Sequence, residues 1–169
     1  ILWHVYTGEA TPDEERNEPG TASLENDYLN AGFQRLLDLE GLPASRPPWG
    51  TLTAIDLKSA DILWRIPLGD YPQVLAQNQS GLGAENYGGP LVTAGDLLFI
   101  AATPDRQLRA YDKHNGELLW QATLPAAGFA TPITYAVDGR QYVVIAAGGG
   151  KLGEPSGSSY IAFALPDQQ

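Results

Sequence analysis

The sequence predicts an all-β chain, a partial β-propeller of about two to three four-stranded antiparallel blades with one short helical insertion. Three observations lead there. First, Leu52-Thr53-Ala54-Ile55-Asp56 running on to Leu63-Trp64 is echoed 56 residues later by Leu108-Arg109-Ala110-Tyr111-Asp112 running on to Leu119-Trp120. Second, short β-rich runs alternate with turn residues throughout the second half, the pattern of an antiparallel meander. Third, four such runs recur at the 40- to 60-residue period of propeller blades.

Taken in order, Ile1-Leu2-Trp3 reads as the tail of a further copy, and Ile1 to Tyr6 as a fourth strand separated from its own blade. Glu9 to Glu18 holds five carboxylates and one Arg, and Glu9 to Thr21 reads as a solvated acidic loop. Ser23 to Leu39 reads as the helical insertion, with Ser23 as cap and Tyr28, Phe33, Leu36 and Leu37 near one face, stopped by Gly41 and Pro43. Residues 1–47 therefore form the end of a preceding blade plus insertion, and 48–169 form blades. Leu91 to Thr93, Leu97 to Thr103, Leu108 to Tyr111 and Leu118 to Ala122 make one meander, with turns at Ala94-Gly95-Asp96 and His114-Asn115-Gly116. Pro132 to Tyr135, the Asp138-Gly139 hairpin, Tyr142 to Ala147 and Tyr160 to Leu165 give three strands of the next unit, with no fourth downstream. The chain reads as a piece of a larger array. Open blade edges are a liability, so it is expected either to associate with copies of itself or to continue into further blades.

Bulk composition narrows the function. The net charge of −10 argues against nucleic acid or anionic lipid as partner. With no cysteine there is no disulfide, thiolate metal site or cysteine nucleophile. No run approaches the roughly 18 apolar residues that a bilayer span needs.

Trp64 and Trp120, on the outer strands, are expected to pack against the neighbouring blade with the indole N–H on a backbone acceptor. Asp56 and Asp112 are expected to bond turn amides. His114 lies in a hairpin turn and His4 near a terminus, no paired carboxylate spacing accompanies either, and both are poor candidates for acid–base work; Gly148-Gly149-Gly150 lacks the strand-then-helix setting and the Lys-Ser/Thr of a phosphate cradle. The remaining candidate is Gly83-Ala84-Glu85-Asn86-Tyr87-Gly88-Gly89-Pro90, placed just before an innermost strand. Two glycines there let backbone approach a flat ligand, and the aromatic offers a stacking face. A Gly-rich connection with a packed Tyr is the plainer reading of the same residues.

Asn86 to Gly95, Leu98 to Asp105 and Leu108 to Asp112 resemble the pyrroloquinoline-quinone (PQQ)-dependent dehydrogenases, nearest the membrane-associated glucose and quinate branch. Leu124 to Gly128, Ala130 to Pro132, Asp138 to Gly149 and Ala162 to Pro166 extend the likeness, which covers about Pro47 to Pro166. The resemblance implies an eight-bladed propeller holding the quinone and a calcium ion in its axial channel. It implies oxidation of a sugar, polyol or other alcohol, with electrons passed to ubiquinone or a cytochrome on the periplasmic side of a bacterium. By the same likeness Asn86, Tyr87, Gly88, Gly89 and Asp105 belong to the cofactor site. Tyr87 stands where relatives often carry Trp, and Gly150 where several glucose dehydrogenases carry His. The family's catalytic Asp and calcium ligands come from earlier blades, so no catalytic or metal-binding residue is assigned here, and the fragment alone is expected to be inactive. The rival is a non-enzymatic scaffold of the same repeats that binds proteins and no quinone.

Overall fold

The computed structural model describes the backbone of residues 2–7 and 28–166, with side chains from 35 to 166. The chain divides into two compact units, Ile1–Ala44 and Ser45–Gln169. In the first, β1 (Leu2–Thr7) pairs antiparallel with β2 (Tyr28–Gln34), Trp3 opposite Phe33 and Val5 opposite Asn30. The helix expected over Ser23 to Leu39 is therefore corrected: its middle is a strand. Asn30 and Gly32 are weak helix formers, Tyr28 and Phe33 favour pleated backbone, and β1 supplies a ladder that no isolated helix could match. Leu36 is exposed, so the supposed apolar face does not form. Likewise Ile1 to Tyr6, read as a strand without a partner in this chain, lies largely in β1 and is paired. The acidic tract from Glu9 to Thr21 and the expected cap Ser23 lie outside the described residues.

The second unit is a run of antiparallel sheets. A hairpin of β3 (Thr51–Ile55) and β4 (Ile62–Pro67) comes first. It is followed by α1 (Pro72–Ala76), a short helix that the sequence reading missed, with Pro in its first turn. Next comes a complete blade of β5 (Leu91–Val92), β6 (Leu97–Ile100), β7 (Gln107–Asp112) and β8 (Leu118–Thr123), hydrogen-bonded in chain order. Last is a three-stranded sheet of β9 (Ile133–Val137), β10 (Arg140–Ala147) and β11 (Ser159–Ala164). Asp138 and Gly139 both have positive φ (49° and 76°), which is what a two-residue type I′ hairpin turn needs.

The repeat is visible atom by atom. Both β3–β4 and β7–β8 shift register at the same place, Ala54/Ile55 and Ala110/Tyr111. Asp56 N–H donates to Asp61 O and Ala60 N–H to Asp56 O; Asp112 N–H donates to Glu117 O and Gly116 N–H to Asp112 O. The Asp56 carboxylate accepts from Lys58 N–H and the Asp112 carboxylate from His114 N–H, the turn role expected of both. Where Gly116 takes φ 75°, the first copy has Ala60 at φ 62°, which costs a β-carbon residue about 1–2 kcal/mol.

Two cores lie on opposite faces of the complete blade. On one side Leu52 and Leu68 meet Leu98, Ile100, Ala102 and Tyr111, with Trp64 and Ile66 packed against them. On the other, Ala101, Leu108 and Leu124 meet Ala126, Ile145 and Ala147, with Ile161 and Phe163 alongside. Covered on both faces, β7 is buried from Leu108 through Tyr111. Face-stacked meanders of this kind are consecutive propeller blades, and the chain is a partial β-propeller. No helix among the described residues is long and apolar enough to cross a membrane.

Burial raises the pKa of the Tyr111 phenol above its ordinary value of 10.0, and neighbouring Asp105 adds to this while Arg109 opposes it. A raised folded-state pKa means that the neutral ring's contribution is complete below the unfolded value, about pH 10, and is lost as pH climbs through the folded one. Thermal melts between pH 8 and 11 should therefore show an alkaline loss of stability that Tyr111→Phe reduces; an unchanged profile in the variant would assign that loss to other groups.

Candidate functional site

The Tyr87 corner is built by backbone bonds that link four segments at the strand ends. Tyr87 N–H donates to Ala102 O (2.9 Å), Ala102 N–H to Gly128 O (2.8 Å) and Gly149 N–H to Ala127 O (2.9 Å). The loop before β5, the end of β6, the connection after β8 and the loop after β10 are thus stitched together at one end of the blades. Gly88, at φ 89°, lets this corner close: a β-carbon there would lie 2.7 Å from Phe129 O. Gly89 N–H donates to Thr131 Oγ1 (2.9 Å), and Asn86 Nδ2 donates to Ala84 O (3.3 Å).

The product is a presented ring. Tyr87 is 39% exposed, meets Phe129 edge-on (centroids 6.1 Å apart, planes at 85°), and has Lys151 Nζ 4.8 Å from its centroid. The structure therefore brings Asn86, Tyr87, Gly88 and Gly89 together. Phe129, Thr131 and Lys151 join them, and sequence reasoning missed all three. The available signal for Lys151 was its place directly after Gly148-Gly149-Gly150, a stretch weighed only as a phosphate cradle.

Asp105 is set differently. Its side chain is 1% exposed and paired with the Arg109 guanidinium. It also accepts from Asp70 N–H (3.0 Å), Thr103 Oγ1 (2.8 Å) and Gln107 N–H (3.3 Å). Arg109 reaches Thr103 Oγ1 as well. Asp70, also buried, accepts from Gly81 and Leu82 N–H (both 2.9 Å). A carboxylate so fully engaged by protein donors has little capacity left for a ligand. What it does is fasten the Leu68–Asp70 segment, and through Asp70 the start of the loop that ends in Tyr87, to the β6–β7 connection.

Of the two tryptophans, Trp64 donates its indole N–H to Lys113 O (2.9 Å) in the next blade's hairpin, as expected. Trp120 meets Phe163 of β11 edge-on at 5.2 Å. A groove among the described residues lies elsewhere, between β8 and the β9–β11 sheet around Trp120, Phe163 and Arg140, and includes neither the Tyr87 corner nor Asp105. His114 lies in an exposed hairpin beside Asp96.

The family model described as "Glucose/ethanol/alcohol dehydrogenase, beta-propeller domain", of the PQQ type, matches residues 4–143. The chain belongs to this quinoprotein family. It is 48% identical over 134 residues to the quinoprotein glucose dehydrogenase of Escherichia coli K12, a match covering 75% of this chain and 17% of that protein. It is 40% identical over 153 residues to the quinate/shikimate dehydrogenase (quinone) of Acinetobacter baylyi, covering 86% and 19%. Among solved structures, the quinohemoprotein alcohol dehydrogenase of Comamonas testosteroni superposes with a TM-score of 0.54 at 31% identity, over 75% of this chain and 19% of that one. This quinoprotein segment thus spans about a fifth of the length of the relatives it matches.

Proposed function

We propose that this segment forms part of the cofactor-facing wall of a PQQ-dependent dehydrogenase that oxidises a sugar, polyol or other alcohol. The observation that carries the reading is the Tyr87 ring, held half-exposed on a diglycine corner beneath the Lys151 ammonium. A tyrosine left this exposed on a glycine corner has aromatic surface with which a flat ligand could stack. The residues fit a planar anionic group such as PQQ. Tyr87 would stack against it, Gly88 and Gly89 would let it lie close to backbone, and Asn86 would bound its edge, with Asp105 acting from behind as a positioning residue. A bound quinone supplies a two-electron, two-proton acceptor for the substrate's alcohol carbon, while the protein contributes orientation and electrostatics.

Among the described residues no group of three His, Cys, Asp or Glu side chains could hold a metal ion. In this reading calcium and the general base are supplied by other blades of the full-length protein. The electron acceptor would be ubiquinone or a cytochrome, on the periplasmic side. The relatives that support the reading are enzymes, which favours it over a protein-binding scaffold.

The test is dye-linked oxidation by the full-length protein after addition of PQQ and calcium, across a panel of sugars, polyols and simple alcohols. Turnover that depends on added quinone is expected, with none from residues 1–169 alone. A folded full-length protein that binds no quinone and oxidises nothing on the panel would overturn the proposal.

A further inference from the structure

The proposal above accounts for the Tyr87 ring and leaves open why a lysine lies over it. Lys151 belongs to a loop that is tightly held. Gly149 N–H is bonded to Ala127 O, Gly157 N–H to Gly148 O (2.7 Å) and Glu154 N–H to Lys151 O (2.9 Å). The nearest acid in sequence, Glu154, is turned away and engaged by Arg106, whose Nε and Nη2 lie 3.0 Å from Glu154 Oε2. Among the described residues no carboxylate pairs with Lys151. In a chain of net charge −10, the Lys151 ammonium thus has no carboxylate partner among the described residues and lies over the ring of a partly exposed tyrosine.

From this we infer that Lys151 is a ligand-binding residue whose ammonium recognises a carboxylate on the rim of a flat aromatic anion stacked on Tyr87. The inference rests on the quinone reading and adds to it the residue that selects for negative charge. A ring stacking on that face must displace the ammonium. If the incoming ring is neutral, a cation–π contact is lost and nothing replaces it. If it carries carboxylates, as PQQ does, the displaced ammonium lands beside one. The exposed cation–π contact is then exchanged for a charge-assisted hydrogen bond, the stronger of the two. The surrounding negative field, which otherwise repels anions, makes this local cation matter more.

The experiment is an equilibrium titration of the calcium-loaded full-length protein with PQQ, followed by fluorescence quenching at low and high salt. The parent is compared with Lys151→Gln and Lys151→Arg. The methyl ester of PQQ, which keeps the rings without the negative charges, is titrated in parallel. The Gln variant should bind PQQ about tenfold more weakly, with a flatter salt dependence, and the Arg variant should stay near the parent. The ester, which must displace the ammonium from the ring without pairing with it, should bind the parent no more tightly than the Gln variant. Matching melting temperatures would show that the fold is intact. Equal PQQ affinity and equal salt dependence in the parent and the Gln variant would overturn the role of Lys151 and leave the quinone reading standing. A folded parent that binds neither ligand would bring down both.

Discussion

Replacing Asp105 with alanine should destabilise the chain by about 3–5 kcal/mol, the cost of removing one partner from a buried ion pair. The Arg109 guanidinium stays behind, buried, within reach of the Thr103 hydroxyl but without its carboxylate, and Asp70 N–H loses its acceptor. Most of the penalty comes from that stranded charge, so the effect should depend on what replaces the pair. Asp105→Asn, which still accepts hydrogen bonds but cannot neutralise Arg109, should fall between parent and alanine. The double change Asp105→Leu with Arg109→Met removes both charges and should recover much of the loss. Urea unfolding measures all three: the midpoint should move while the slope stays constant, because the surface exposed on unfolding hardly changes. A loss below about 1 kcal/mol for alanine, the size of an exposed pair, would mean that the carboxylate is not held as described. The same experiment bears on function, since loosening Asp105 frees Asp70 and the loop leading to Tyr87. Quinone affinity of the full-length protein should then drop without Asp105 touching the ligand.

Much of this architecture was legible because repetition supplies its own control. Asp56 and Asp112 announce the same turn twice, and the register shift and amide bonds coincide in both copies. The Asp138-Gly139 hairpin was legible because two positive φ angles in succession leave few residue choices. Tyr28 to Gln34 was misread because seven residues containing Leu29, Ala31 and Phe33 suit either period, and the deciding ladder comes from β1, far away in sequence. The helix Pro72–Ala76 is too short for any period to register, and Val74 is held by packing rather than propensity. At the site, the Tyr87 corner was visible from its glycines. Phe129 and Lys151 were not, because their roles exist only once segments distant in sequence are hydrogen-bonded to one another. Asp105 could be singled out by likeness to relatives, but its burial behind Arg109 could not: a residue's name carries no information about which way its carboxylate faces.

The two tryptophans, identical in the repeat, should behave unequally. Trp64→Ala should cost about 3 kcal/mol, the lower end of the range for removing a packed Trp, because the ring is only half-buried. That ring lies over the next blade's hairpin, so that a β-carbon on Gly116 would come within 2.8 Å of Trp64 Cε3. Gly116→Ala should therefore cost more than the 1–2 kcal/mol of left-handed backbone alone, with the excess reporting displacement of the indole. Trp64→Phe keeps an aromatic ring and deletes the bond to Lys113 O, which should cost about 1 kcal/mol. The combined Trp64→Ala, Gly116→Ala protein should be less destabilised than the sum of its parts, because once the ring is gone the new methyl has nothing to strike. Trp120→Ala, whose ring is 40% exposed and rests against Phe163, should cost clearly less than Trp64→Ala. Strict additivity in the double variant, or equal losses at Trp64 and Trp120, would refute the claim that the indole of one blade is locked by the glycine turn of the next.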